Sequence, residues 1–205
     1  MRPAPLSLIV AAVVASPFVA RAQASYVLDA SASTVSFQGR ALFQAIGGRS
    51  DDLVGLVTLL GRDIRSLRGT IHIPVASLHI EPPISRREVE RLFGGAPGAE
   101  IVFRVDSLSR HDGRGLLLHG QLTMNGFSRP VAFTGDARHL SGSRIEARGR
   151  ARVDMREWRI RPPKRFLGLV SMHHELTLTF DATFAPQAMA RGGEVLEFAP
   201  QFKER

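Results

Sequence analysis

From Ser143 to Val153 the chain alternates without interruption. Ile145, Ala147, Gly149, Ala151 and Val153 fall on one side, and Arg144, Glu146, Arg148, Arg150 and Arg152 on the other. Successive side chains of an extended chain point to opposite faces, so this segment offers one face to water and one to a core. A helix would scatter the two sets around its circumference. The pattern therefore commits this part of the chain to a half-buried strand, and the strand to a sheet.

The same period recurs along the chain. Thr34 to Phe43 sets Val35, Phe37, Gly39, Ala41 and Phe43 against Thr34, Ser36, Gln38 and Arg40. Leu67 to Ile73, Glu100 to Val105, Leu116 to Met124 and Glu175 to Phe184 repeat it, and Tyr26 to Leu28, Val54 to Leu60 and Ser77 to Ile80 supply shorter extended pieces. Asn125-Gly126 separates two alternating runs, the second including Phe127, Val131 and Phe133, and predicts a two-residue hairpin. One segment reads as helix, Ser85 to Phe93, with Ser85 as N-cap, Glu88 three residues on and Gly94-Gly95 as the stop. Eight or nine strands, antiparallel pairing and inward glycines at Gly39, Gly69, Gly120 and Gly149 predict an all-β fold. The expected architecture is an extended eight-stranded antiparallel, lipocalin-like barrel with one short helix.

The ends read differently. Arg2 precedes an apolar run of ten residues, Leu6 to Ala15, closed by Pro17. It is too short for a membrane helix of about 20 residues, but it suits the core of an export signal. Small residues at Ala20, Ala22 and Ala24 place a cleavage site near residues 22–24, so residues 1–24 are expected to be a signal peptide. Residues 25–185 are then the barrel domain, and residues 186–205, which lack alternation, a flexible tail. The expected location is the periplasm. With no cysteine, stability has to come from the core. The net charge of +8, carried almost wholly by arginine, suits an anionic membrane surface.

Chemistry finds little support in the residue pattern. The seven histidines show no ligand spacing, and on a strand His173 and His174 point to opposite faces, so no metal or other cofactor is expected. There is no Gly-x-Ser-x-Gly elbow, and Ser141-Gly142-Ser143 reads as a turn. Asp154 and Glu157 lie among arginines and read as surface charge pairs. No phosphate loop occurs, and the phenylalanines fall on inward faces, against nucleic-acid binding. The expectation is a protein that is not an enzyme and has no catalytic residues.

What stands out is the inward apolar set: Phe37, Phe43, Ile71, Ile73, Ile101, Phe103, Leu118, Leu122, Phe133, Leu178 and Phe180. A closed sheet lined this way either fills itself or holds one ligand. The small inward residues Gly39, Ala41, Gly69, Gly120, Ala147, Gly149, Ala151 and Ala182 favour leaving room. Two alternatives stay open: a non-catalytic accessory protein with a filled barrel acting through its basic surface, and a hydrolase using the cavity.

Three ordered motifs resemble the YceI-like family of exported, lipocalin-like polyisoprenoid-binding proteins. They are Tyr26-Val27-Leu28-Asp29 with Ser33 to Phe37, the hairpin Gly120 to Val131, and Trp158 to Pro163 followed by Gly168-Leu169-Val170. The chain departs from the family's usual pattern at Arg86 to Phe93 and at His174. The resemblance implies a tunnel for a long isoprenoid chain, a quinone tail or polyprenyl lipid, held for transport, storage or sequestration. Trp158 joins the expected ligand-binding set, and Arg156, Arg159 and Arg161 beside it are candidates for a polar head group. Oligomeric state is left open, a homodimer included.

Overall fold

The computed structural model describes residues 23–187, apart from 42–43, 82, 97, 114 and 162–171. Phe43, most of the export signal, the Pro162 to Val170 part of the third motif and residues 188–205 lie outside the described residues. The described strands are β1 (Gln23–Leu28), β2 (Thr34–Ala41), β3 (Gln44–Ser50), β4 (Val54–Leu60), β5 (Arg68–Pro74) and β6 (His79–Glu81). They continue as β7 (Glu100–His111), β8 (Gly115–Met124), β9 (Phe127–His139), β10 (Ile145–Asp154) and β11 (Met172–Pro186). Helix α1 is Arg86–Leu92.

Pairing runs β1-β4-β5-β7-β8-β9-β10-β11, and β11 returns to β1, closing an antiparallel ring of eight. The remaining strands extend it. Both β1 and β2 pair with β11, β4 and β3 pair with them in turn, and β5 and β6 follow. Each of these three walls is thus one long strand broken in the middle. Serines tie the breaks together: Ser33 Oγ accepts from the Thr183 amide at 3.0 Å, Thr34 Oγ1 donates to the Ser50 carbonyl at 3.2 Å, and Ser50 and Ser77 hydroxyls meet at 2.7 Å. Ser50 is fully buried, so these bonds replace ladder partners that the breaks remove.

Beyond the breaks the barrel opens. The β9–β10 ladder stops at Thr134 and Arg150, and β6 does not pair with β7. A 3-10 turn at Met155–Trp158 packs against β9 in the first gap. Trp158 is 1% exposed there, and its Nε1 donates to the Leu122 carbonyl at 2.9 Å. Helix α1 packs on the 3-10 turn Val75–Ser77, with Val89 buried. At the opposite end the 3-10 turn Ile64–Ser66 lies against β7 and β9, and His139 Nε2 donates to the Arg62 carbonyl at 3.2 Å.

The predicted helix forms as read. Ser85 Oγ accepts from the Glu88 amide, and the Gly95 amide donates to the Glu90 carbonyl with Gly94 and Gly95 at positive φ. Asn125 and Gly126, with φ 49° and 75°, make the expected hairpin turn between Met124 and Phe127. One strand has no counterpart in the sequence reading, and two readings need correction. The strand β3 carries no alternation in sequence because Gly47-Gly48 interrupts it. Most of the Ser77 to Ile80 piece divides between the Val75–Ser77 turn and β6, which runs on to Glu81. The strand β7 runs to His111, past Val105, where a bulge before Ser107 puts Leu108 inward and breaks the period of two.

A candidate ligand cavity inside the barrel

The inward faces enclose a cavity of 110 Å³ running along the barrel interior. Ten of the twelve residues expected to bind ligand stand on its wall: Phe37, Ile71, Ile73, Ile101, Phe103, Leu118, Leu122, Phe133, Leu178 and Phe180. Phe43 is outside the described residues. Trp158 is not on the wall; it is a buried wedge that ties the Met155–Trp158 turn to β8, and its carbonyl accepts from Asn125 Nδ2 at 3.0 Å. The wall also includes Leu28, Leu67, Leu108, Leu116 and Phe184, which extend it towards the end covered by Ile64–Ser66. Leu108 escaped the sequence because the β7 bulge shifts its phase.

The inward glycines do not leave the space that their size suggested. Gly149 and Phe180 are direct cross-strand partners, and a methyl group at Gly149 would meet Phe180 Cε1 at 2.6 Å and Phe133 Cβ at 3.2 Å. Gly48 receives the Phe37 ring in the same way, and Gly120 the ring of Phe103. These three glycines are slots for rings, whereas a methyl group at Gly69 would meet the Leu56 carbonyl at 2.2 Å. At the centre, Phe133 stands edge-on to both Phe103 and Phe180, with centroids 5.1 and 5.2 Å apart. Room remains for only a small apolar guest. On the scale on which a cavity of about 150 Å³ takes up benzene, this one admits about four or five carbons, roughly one isoprene unit.

Most polar side-chain pairs lie on the other side of the wall, while Thr34, Ser36, Asp136 and Arg148 also border the cavity. His72 Nδ1 meets Glu100 Oε2 at 2.8 Å, and Ser109 Oγ meets His119 Nε2 at 3.3 Å, on faces opposite to Ile71 and Leu118. Glu146 pairs with Arg138 and Arg148, and Arg148 also with Asp181 at 3.2 Å, all on the outer face. Among the described residues no three His, Asp or Glu side chains are grouped to hold a metal. Of the head-group candidates, Arg156 is held by Asp154, whose carboxyl it lowers to about 2, and Arg159 stacks 4.7 Å above the Phe127 ring. Arg161 is exposed.

Solved structures share this architecture. A polyisoprenoid-binding domain from Saccharophagus degradans, implicated in plant cell wall breakdown, superposes with a TM-score of 0.61 at 14% identity, covering 80% of this chain and 99% of that one. BcnA of Burkholderia cenocepacia gives 0.60 at 14% identity, over 76% and 98% of the two chains. The YceI protein of Campylobacter jejuni gives 0.52 at 13% identity, over 68% and 84%. No curated protein matches the chain. The model of the YceI-like domain matches residues 26–184, from the first strand of the ring to the last, and the chain belongs to that family.

Proposed function

We propose that the barrel binds one apolar chain of the isoprenoid class, a quinone tail or polyprenyl lipid, and holds it by burial for transport, storage or sequestration. The observation that carries this reading is the cavity itself, whose wall is mainly aliphatic and aromatic and which lies within a ring of strands closed at β1–β11. The polyisoprenoid-binding domain of the same architecture supports the choice of ligand. The wall is overwhelmingly apolar, with Thr34, Ser36, Asp136 and Arg148 as the polar residues that border it among the described residues, and the reading is non-enzymatic.

Magnitudes set how such a ligand is held. A buried methylene contributes about 0.8 kcal/mol, so one isoprene unit gains about 4 kcal/mol. Association costs about 4–15 kcal/mol, so a guest that merely fills the resting cavity binds weakly. Each further unit adds about 4 kcal/mol, but only if Phe37, Phe133 or Phe180 swings from its place. Tight binding therefore requires a long chain and displaced rings together.

The reading includes export to the periplasm with cleavage after Ala22 in preference to Ala24. Gln23 and Ala24 pair with Leu60 and Leu59, and removing them would strip two rungs from the β1–β4 ladder. The test is native mass spectrometry of the protein recovered from the exported fraction, with solvent extraction of any adduct. The expected adducts form a series spaced by one isoprene unit on a chain beginning at Gln23. A protein that arrives empty and takes up neither prenylated quinones nor polyprenyl lipids would sink the proposal.

A further inference from the structure

We infer that the outer face of β4, with the Arg62–Arg68 corner beside it, is a docking surface for an anionic lipid bilayer. Leu56 and Leu60 are the exposed large hydrophobics among the described residues, at 44% and 48%. They share the outer face of one strand, about 13 Å apart. Leu56 sits beside Val27, and Val27 beside Ala185, so the apolar surface is a continuous row across three strands. Arg62 and Arg68 are exposed at its margin, and no carboxylate among the described residues pairs with either. Arg68 turns its Nη1 to the carbonyls of Arg65 and Leu67 instead.

Charge selects the occupant. In a two-fold dimer through this face Arg62 and Arg68 would be brought together from both copies, while Asp63, the carboxylate within the corner, is already engaged by Arg65 at 3.1 Å. An anionic leaflet supplies the missing countercharge and accepts the leucines at its interface. The position fits a lipid-handling barrel, because the Ile64–Ser66 turn over the end of the bore belongs to this corner. That last point rests on the proposed function; the docking does not.

Flotation of the purified protein with phosphatidylcholine vesicles containing about one-third phosphatidylglycerol tests it, in about 0.1 M salt. The protein should float with these vesicles and remain behind with pure phosphatidylcholine. Leu56→Ser with Leu60→Ser, and separately Arg62→Glu with Arg68→Glu, should each lower the bound fraction about tenfold. Arg150→Glu with Arg152→Glu, an equal charge change on the outer face of β10, should leave it unchanged. No flotation overturns the proposal, as does an equal loss from the β10 pair. So does a dimer in sedimentation that the leucine changes dissolve, or vesicle binding seen only in a chain ended at Gln187. Flotation does not read what the bore contains, so an empty barrel that still floats removes the proposed function and leaves this surface standing.

Discussion

The Phe180 ring lies over Gly149, its direct partner across the β10–β11 ladder, so the two residues share one side chain's worth of space. A methyl group at Gly149 meets the far end of that ring, which can move into the cavity. At Gly135 a methyl group would meet the Arg148 carbonyl at 1.8 Å, and the backbone there cannot give way without breaking the β9–β10 ladder. Gly149→Ala should therefore cost about 1–3 kcal/mol, and Gly135→Ala clearly more. Urea denaturation followed by circular dichroism ranks them; equal losses would refute the slot assignment.

Ring removal should act on ligand length. Phe180→Ala deletes one member of the edge-on trio and enlarges the 110 Å³ cavity, at a cost of about 3–5 kcal/mol in stability. The longest prenyl chain that binds should grow, and the protein should recover part of its lost stability when a long chain is added. Titration with a prenyl alcohol series reads both. An unchanged length preference would show that Phe180 does not limit the bore.

Trp158 fills the gap between β9 and β10, fully buried and held by a hydrogen bond to the Leu122 carbonyl of β8. Trp158→Phe keeps an aromatic ring but leaves the Leu122 carbonyl one donor short, which should cost about 1–3 kcal/mol. Because Trp158 is not on the cavity wall, ligand affinity should change far less than stability. An apolar probe titrated into variant and parent, beside their denaturation curves, separates the two effects.

These residues also mark what could be read without coordinates. Alternation identifies Ile145 and Val153 as inward and Arg150 and Arg152 as outward because one face of β10 meets water. It cannot show that Gly48 faces Phe37 or that Gly149 faces Phe180, since those pairs depend on register between strands. Gly120 and Gly149 thus suggested free volume where rings in fact sit. The strand β3 is illegible for a different reason: its Gly47-Gly48 replaces side chains that would have shown a period. Trp158 carries no local signal at all, because its partner is 36 positions away.

Acid should loosen the same corner from the other side. Asp154 caps the turn that carries Trp158, accepting from the Arg156 amide at 2.9 Å and from its Nε at 3.0 Å. The hydrogen bonds to Arg156 hold this carboxyl at about 2, below its ordinary 3.8. A carboxyl lowered by folding contributes stability that is complete above its unfolded value, about 4, and is lost as the pH falls through about 2. Asp154→Asn keeps an oxygen for the Arg156 amide but cannot titrate. The parent should therefore lose more stability than the variant between about pH 4 and 2, with the two curves parallel above that window. The side chain is partly exposed, so the difference should shrink as salt is added. Denaturation midpoints across this range, at low and high salt, check it, and parallel curves throughout would mean that Arg156 does not hold the Asp154 carboxylate in solution.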